Sequence, residues 1–207
     1  MALESEMTRI YADRYIDFDN MSVPEIIRAV RNRDTTRIKA LIETGVDVNE
    51  YMHDDYIGLH ALYVAAEHNY LKIARMLLNA GADVNAGTIW AEGPLYGAVC
   101  QGHVQMVDLL LKHGANPNGV ITHTYRHVPP IMLCADMTPD PAAIAIARML
   151  LDAGAEILPY IIDRILAEKS QPKRRRCVDE IMHLVAEKYP EMVTDYWIEH
   201  GPKGPGL

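Results

Sequence analysis

Aromatic residues other than tyrosine are scarce: one phenylalanine and two tryptophans stand in 207 residues. Cysteine is equally thin. Cys100, Cys134 and Cys177 are odd in number, far apart and form no Cys-x-x-Cys pair, which argues against a disulfide framework and a zinc knuckle. A reducing cytoplasm is then the simplest compartment. No apolar run approaches the roughly 20 residues that a helix needs to cross a bilayer, so no membrane association is expected. The first twenty residues lack a basic start and an apolar stretch before a small-residue cleavage site, and are not read as a secretory leader. Positive charge is in deficit, with a net charge of −8 and one short basic run. Binding along nucleic acid, which needs a positive footprint, is therefore not expected. The same balance suits a protein partner, in particular a basic one steered by the field of the chain. No Gly-rich phosphate loop, nucleotide fingerprint or Ser–His–Asp constellation occurs. No cofactor and no metal is expected.

What is present is self-similarity. Four stretches align: Ala40-Leu-Ile-Glu-Thr-Gly-Val-Asp-Val-Asn49, Met76-Leu-Leu-Asn-Ala-Gly-Ala-Asp-Val-Asn85, Leu109-Leu-Leu-Lys-His-Gly-Ala-Asn-Pro-Asn118 and Met149-Leu-Leu-Asp-Ala-Gly-Ala-Glu-Ile-Leu158. Their glycines, at 45, 81, 114 and 154, are spaced by 36, 33 and 40 residues. In each stretch paired leucines end a helix and face inward, and the glycine takes the left-handed conformation that closes it. The Asx residues that follow bond nearby backbone and lead into an extended turn.

Upstream of each ending lies a shorter helix with a small face. Ala61-Leu-Tyr-Val-Ala-Ala66 precedes a second helix from Leu71, and Pro94-Leu-Tyr-Gly-Ala-Val99 precedes one from Val104. In the first unit Ser22 is expected to cap and Pro24 to take the first helical position, with Ile26, Ile27, Ala29 and Val30 inward. Ile38, Leu41 and Ile42 continue that face. The fourth unit opens at Pro129-Pro-Ile-Met132, and Asp136 to Pro141 lengthen its inter-helix turn. A fifth unit has helical patterns near 160–169 and 174–188 with a charged outer face, as a terminal cap requires.

This pattern resembles the ankyrin signature T-P-L-H-x-A-A-x-x-G-H-x-x-I-V-x-x-L-L-x-x-G-A-D-V-N. The resemblance implies an all-α fold, an ankyrin-repeat solenoid of stacked helix-turn-helix units with projecting finger loops. It divides the chain into an N-terminal extension (1–21), a repeat domain (22–190) and a tail (191–207). The repeats fall at about 22–53, 54–86, 87–119 and 120–157, with a C-terminal cap at 158–190. One departure weakens the expected ties between repeats: the Thr-Pro-Leu-His tetrad is replaced by His60-Ala-Leu-Tyr63, Gly93-Pro-Leu-Tyr96 and Pro129-Pro-Ile-Met132.

The resemblance also implies a binding surface, formed by the fingers and the first helices. The fingers fall at 51–57, 87–92 and 120–128 and carry Tyr51, His53, Asp54, Asp55 and Tyr56, then Ile89, Trp90 and Glu92, then His123, Tyr125, Arg126 and His127. Tyr, Trp and Arg are the types that anchor protein interfaces, although such rings can also pack on one another to stiffen long fingers. The family's variable floor positions map to Arg31 and Asn32, Glu67 and His68, Cys100 and Gln101, and Asp136 and Met137. Inhibitor, adaptor, effector and toxin-neutralising roles all suit such a module. The alternative is an enzyme or small-molecule binder in which His123, His127, Tyr125 or Asp54 moves protons inside a pocket between the fingers. His60, His103 and His113 occupy repeat positions and are assigned structural roles. Lys173, Arg174, Arg175 and Arg176 open the last helix against its dipole, which suits a solvated cap end or contact with an anion, a partner or a nuclear import receptor.

Overall fold

Each helix pair hides an apolar stripe against its partner and against the next pair, so the units pile up in chain order. In the computed structural model the described residues are 23–53, 58–87, 93–119, 128–136, 141–168 and 174–191. Five pairs follow one another: α1 (Glu25–Arg31) with α2 (Thr35–Glu43), α3 (Ala61–Glu67) with α4 (Leu71–Asn79), α5 (Pro94–Cys100) with α6 (Val104–Lys112), α7 (Pro130–Asp136) with α8 (Pro141–Asp152), and α9 (Pro159–Ala167) with α10 (Arg175–Lys188). The first helices α1, α3, α5, α7 and α9 touch successively as one layer. The second helices form the other layer, and α2 meets α4, α6 meets α8 and α8 meets α10. This is the stacked architecture that the repeats imply. One connected core runs its length, from Val23 to Val185.

Small residues set the spacing of the first layer. Ala61, Ala65 and Ala66 on α3 and Gly97 and Ala98 on α5 are buried. A Cβ on Gly97 would lie 3.4 Å from Tyr63 Cε2 and 3.5 Å from Glu67 Cβ. A side chain longer than alanine would force the two helices apart.

The helix endings follow the sequence reading. Gly45, Gly81, Gly114 and Gly154 all have φ between +80° and +93°. At the first of them the Gly45 N–H donates to Ile42 O and the Val46 N–H to Leu41 O. The same pair recurs at the other three, satisfying carbonyls that the helix leaves open. The start of α1 differs from expectation. Pro24 stands one residue before the helix, at the N-cap position, and its carbonyl accepts from Arg28 N at 3.2 Å. Ser22 lies outside the described residues. α2 has a polar cap, in which the Asp34 side chain accepts from Arg37 N at 2.8 Å.

A short antiparallel ribbon departs from the helical pattern. β1 (Tyr51–His53) pairs with β2 (Gly58–His60) in the register Tyr51↔His60, Met52↔Leu59 and His53↔Gly58. Met52 and Leu59 are buried beneath it, so the root of the first finger is seated on the stack by its apolar face.

Candidate functional site

Where a second helix hands over to the next first helix, the chain builds the finger roots, and asparagine side chains tie them together. Asn49 Oδ1 accepts from Asp83 N at 2.7 Å and Asn49 Nδ2 donates to Gly81 O at 3.1 Å. One repeat on, Asn85 Oδ1 accepts from Asn116 N at 2.8 Å and its Nδ2 donates to Gly114 O at 3.2 Å. Asn118 Oδ1 then accepts from Glu156 N at 2.7 Å. Within each root a second Asx contact fixes the turn, as where Asp47 Oδ1 accepts from Asn49 N at 2.9 Å. On the opposite side of the stack His103 Nε2 lies 3.0 Å from the Glu67 carbonyl, which gives His103 its structural role. His113 is exposed and ends α6.

The finger-root edge has a composition of its own. Among the described residues, the four exposed large apolar side chains are Tyr51 (50%), Val128 (36%), Leu158 (46%) and Tyr160 (50%). All four sit at finger roots or in the first turn of a first helix. The charged residues of the roots are Asp47, Glu50, Asp83 and Glu156, every one acidic and exposed. The described lysines and arginines all lie on helices, at their caps or in the short turns inside pairs. An acidic, partly apolar edge thus adjoins a mixed outer face. Among the described residues the outer face offers no exposed large apolar side chain.

The floor positions line the C-terminal ends of the first helices. Arg31, Asn32, His68, Cys100 and Gln101 are exposed and Glu67 is half-buried. His68 Nδ1 lies 3.1 Å from Val64 O and 3.7 Å from the Glu67 carboxylate, and its ring packs on Tyr70 at 5.4 Å. Arg33 covers the same tyrosine at 4.6 Å. Asp136 closes α7, and Met137 lies outside the described residues.

Of the residues proposed from sequence for partner binding, the structure describes the side chains of Tyr51, Glu67, His68 and Gln101 and the backbone of His53. Asp54, Asp55, Tyr56, Ile89, Trp90, Glu92, His123, Tyr125, Arg126 and His127 lie outside the described residues. Two shallow depressions elsewhere measure about 190 Å³, between Arg148, Leu151 and Leu184, and about 200 Å³, between Glu25, Arg28 and Arg37. Both are smaller than the roughly 300–1,000 Å³ of ordinary ligand sites. Val128, Leu158 and Tyr160 are exposed apolar residues of this edge outside the residues expected to bind a partner. The signal was there in Leu158, which replaces the asparagine that ends the three earlier stretches.

The basic run is partly absorbed by the fold. Arg174, at the N-cap of α10, pairs with the buried carboxylate of Glu168. Arg176 Nε donates to Glu180 at 2.8 Å. Lys173 lies outside the described residues, and Arg175 is exposed. None of the three cysteines is in a disulfide, and burial pushes the Cys134 thiol far up, keeping it protonated.

Helix pairs stacked in two layers and tied through their turns define an α-solenoid of short repeats. Residues 24–88 match the family described as ankyrin repeats (3 copies), and residues 93–121 match the single ankyrin repeat. The chain is an ankyrin-repeat protein. It is similar to the palmitoyltransferase AKR1 of Lachancea kluyveri, at 36% identity over 44% of this chain and 12% of that protein. It is similar to the human palmitoyltransferase ZDHHC13, at 36% identity over 45% of this chain and 15% of that protein. A putative ankyrin repeat protein of fowlpox virus, FPV024, is 23% identical over 76% of this chain and 27% of its own length. The chain therefore matches about a quarter or less of the length of these three relatives. No helix among the described residues is long and apolar enough to cross a membrane.

Proposed function

We propose that this chain is a protein-binding module that grips a basic partner along its finger-root edge and the adjoining floor of first helices. Ankyrin repeats imply protein interaction in general. The observation that carries the finer reading is the segregation just described, with exposed apolar side chains and unmixed acidic charge on one edge. Apolar anchors supply contact area, and rim carboxylates steer and orient a partner of opposite sign. Outside the described residues the sequence adds Asp54, Asp55 and Glu92 against Arg126, which keeps the charge balance acidic. What the palmitoyltransferases share with this chain is a small fraction of their length, and binding rather than acyl transfer is the property carried over. The action is steric: the module blocks or recruits what it holds, as an inhibitor or adaptor. Cysteines outside any disulfide suit a reducing, cytoplasmic setting.

The test is capture from the native source with three tagged forms: wild type, an edge variant (Trp90→Ala, Tyr125→Ala, Tyr160→Ser) and an outer-face variant (Lys72→Ala, Arg75→Ala). Wild type and the outer-face variant retain the partner, while the edge variant loses it and keeps its helical circular dichroism. Retention should weaken as salt rises from 0.05 to 0.5 M, on the order of a threefold fall in screening length. Full retention by the folded edge variant overturns the assignment.

A further inference from the structure

His60 occupies a joint between three pieces of the molecule. It ends β2, stands at the N-cap of α3 without making a side-chain cap bond, and faces Tyr51 across the first finger. The His60 and Tyr51 rings lie 5.5 Å apart. Its Nδ1 is buried and has no hydrogen-bond partner. A buried polar atom left unbonded keeps its desolvation cost, so the position carries a local penalty even with a neutral ring.

We propose that His60 is an acid-sensitive latch that holds the root of the first finger closed while its ring is neutral and releases it on protonation. A proton places a full charge on a partly buried ring, and the groups around it supply too little compensation. On β1 the facing titratable side chain is Tyr51. The first turn of α3 contributes no charged residue. The turn of the next repeat offers the Asp83 carboxylate, and the backbone carbonyls of Asn49 and Gly87 lie close enough to favour the proton. Burial outweighs all three and holds the ring below the ordinary histidine value of 6.5. A base whose folded pKa is depressed stabilises the closed form above the unfolded pKa. That stability declines as pH falls below 6.5 and levels off beneath the folded pKa. The hairpin is three residues a side, so its opening exposes Met52 and Leu59 locally while the helix pairs keep their own packing. This inference does not depend on which partner the edge holds.

Hydrogen exchange of the amides at residues 51–53 and 58–60 tests the latch at pH 7.5 and pH 5.0, after correction for intrinsic rates. In the wild type, protection falls by roughly tenfold for each unit by which the histidine is depressed, while helices α5 and α6 keep theirs. His60→Thr, which restores a residue able to cap α3, shows no such fall. An equal fall in His60→Thr would assign the effect to another group, such as His53, and overturn the proposal. So would unchanged wild-type protection at pH 5.0. Titration of the His60 ring by nuclear magnetic resonance in the wild type gives an independent reading that needs no variant. An apparent pKa at or above 6.5 also overturns the latch.

Discussion

The joints between the first four helix pairs and the joint to the fifth solve the same problem by different means. At the first three, an asparagine reaches from one turn into the next: Asn49 to Gly81 and Asp83, Asn85 to Gly114 and Asn116, Asn118 to Glu156. The bonds repeat because the sequence repeats. At the fourth the corresponding residue is Leu158, and that bond has no donor. The fifth unit is held from the second-helix side instead. Tyr189 donates its hydroxyl to Ala155 O at 3.0 Å, Lys188 approaches Asp152 at 3.5 Å, and Cys177 Sγ–H donates to Cys134 O at 3.5 Å. A buried Glu168–Arg174 pair fixes its internal turn. The laddered joints are interchangeable, whereas the last one is specific to its place. In a stack where each unit touches only its neighbours, such a difference decides where unfolding begins.

Core truncation exposes that difference most strongly. Leu110 on α6 and Ile181 on α10 are both fully buried, and each change to alanine should cost about 2–5 kcal/mol. Leu110→Ala has laddered neighbours on both sides and should lower the whole urea transition as one step. Ile181→Ala should detach the fifth unit in a separate early step, seen as a partial loss of helical signal before the main transition. A single cooperative shift in both variants would show that the last joint is coupled as tightly as the others.

Polar ties rank next. Asn85→Ala removes two bonds between repeats and Tyr189→Phe removes one. With a net worth of about 0.5–1.5 kcal/mol per bond, the asparagine change should lower stability about twice as much. Denaturant midpoints for the two variants measure the ratio. A larger effect from Tyr189→Phe would place the stronger tie at the end of the stack.

The sequence exposes these features unevenly. The glycine endings are readable because a left-handed residue after paired leucines is a local requirement, and Gly45, Gly81, Gly114 and Gly154 all meet it. The Asx turn is readable for the same reason, as Asp47 and Asn49 are two residues apart. The bond from Asn49 to Gly81 crosses 32 residues, and no local pattern announces it. Arg174 reads as a misplaced cation at a helix start, yet it reaches back to Glu168, a contact only the folded turn reveals. Pro24 reads as the first helical residue and stands one position earlier, within the ordinary uncertainty of helix ends. Most finger residues expected to anchor a partner, Trp90 and Tyr125 among them, lie outside the described residues. The apolar edge at Val128, Leu158 and Tyr160 was not legible, because their exposure is set by the stack.

The smallest expected effect bears on Leu158 itself. Leu158→Asn restores the residue that ends the other stretches, but a ladder bond also needs a turn in the following unit to receive it. In the earlier joints that turn follows a second helix and presents a backbone N–H beside a glycine carbonyl. After α10 the chain reads Tyr189-Pro190, with no glycine there and no N–H on the proline. The new amide would therefore remain in water, and stability should stay within about 0.5 kcal/mol of the parent, as at ordinary surface sites. Removing an exposed leucine should at the same time weaken partner retention on the edge. A gain of more than about 1 kcal/mol in unfolding free energy, from the denaturant midpoint and slope, would mean that the ladder continues into a fifth joint. The contrast between the laddered units and the last one would then disappear.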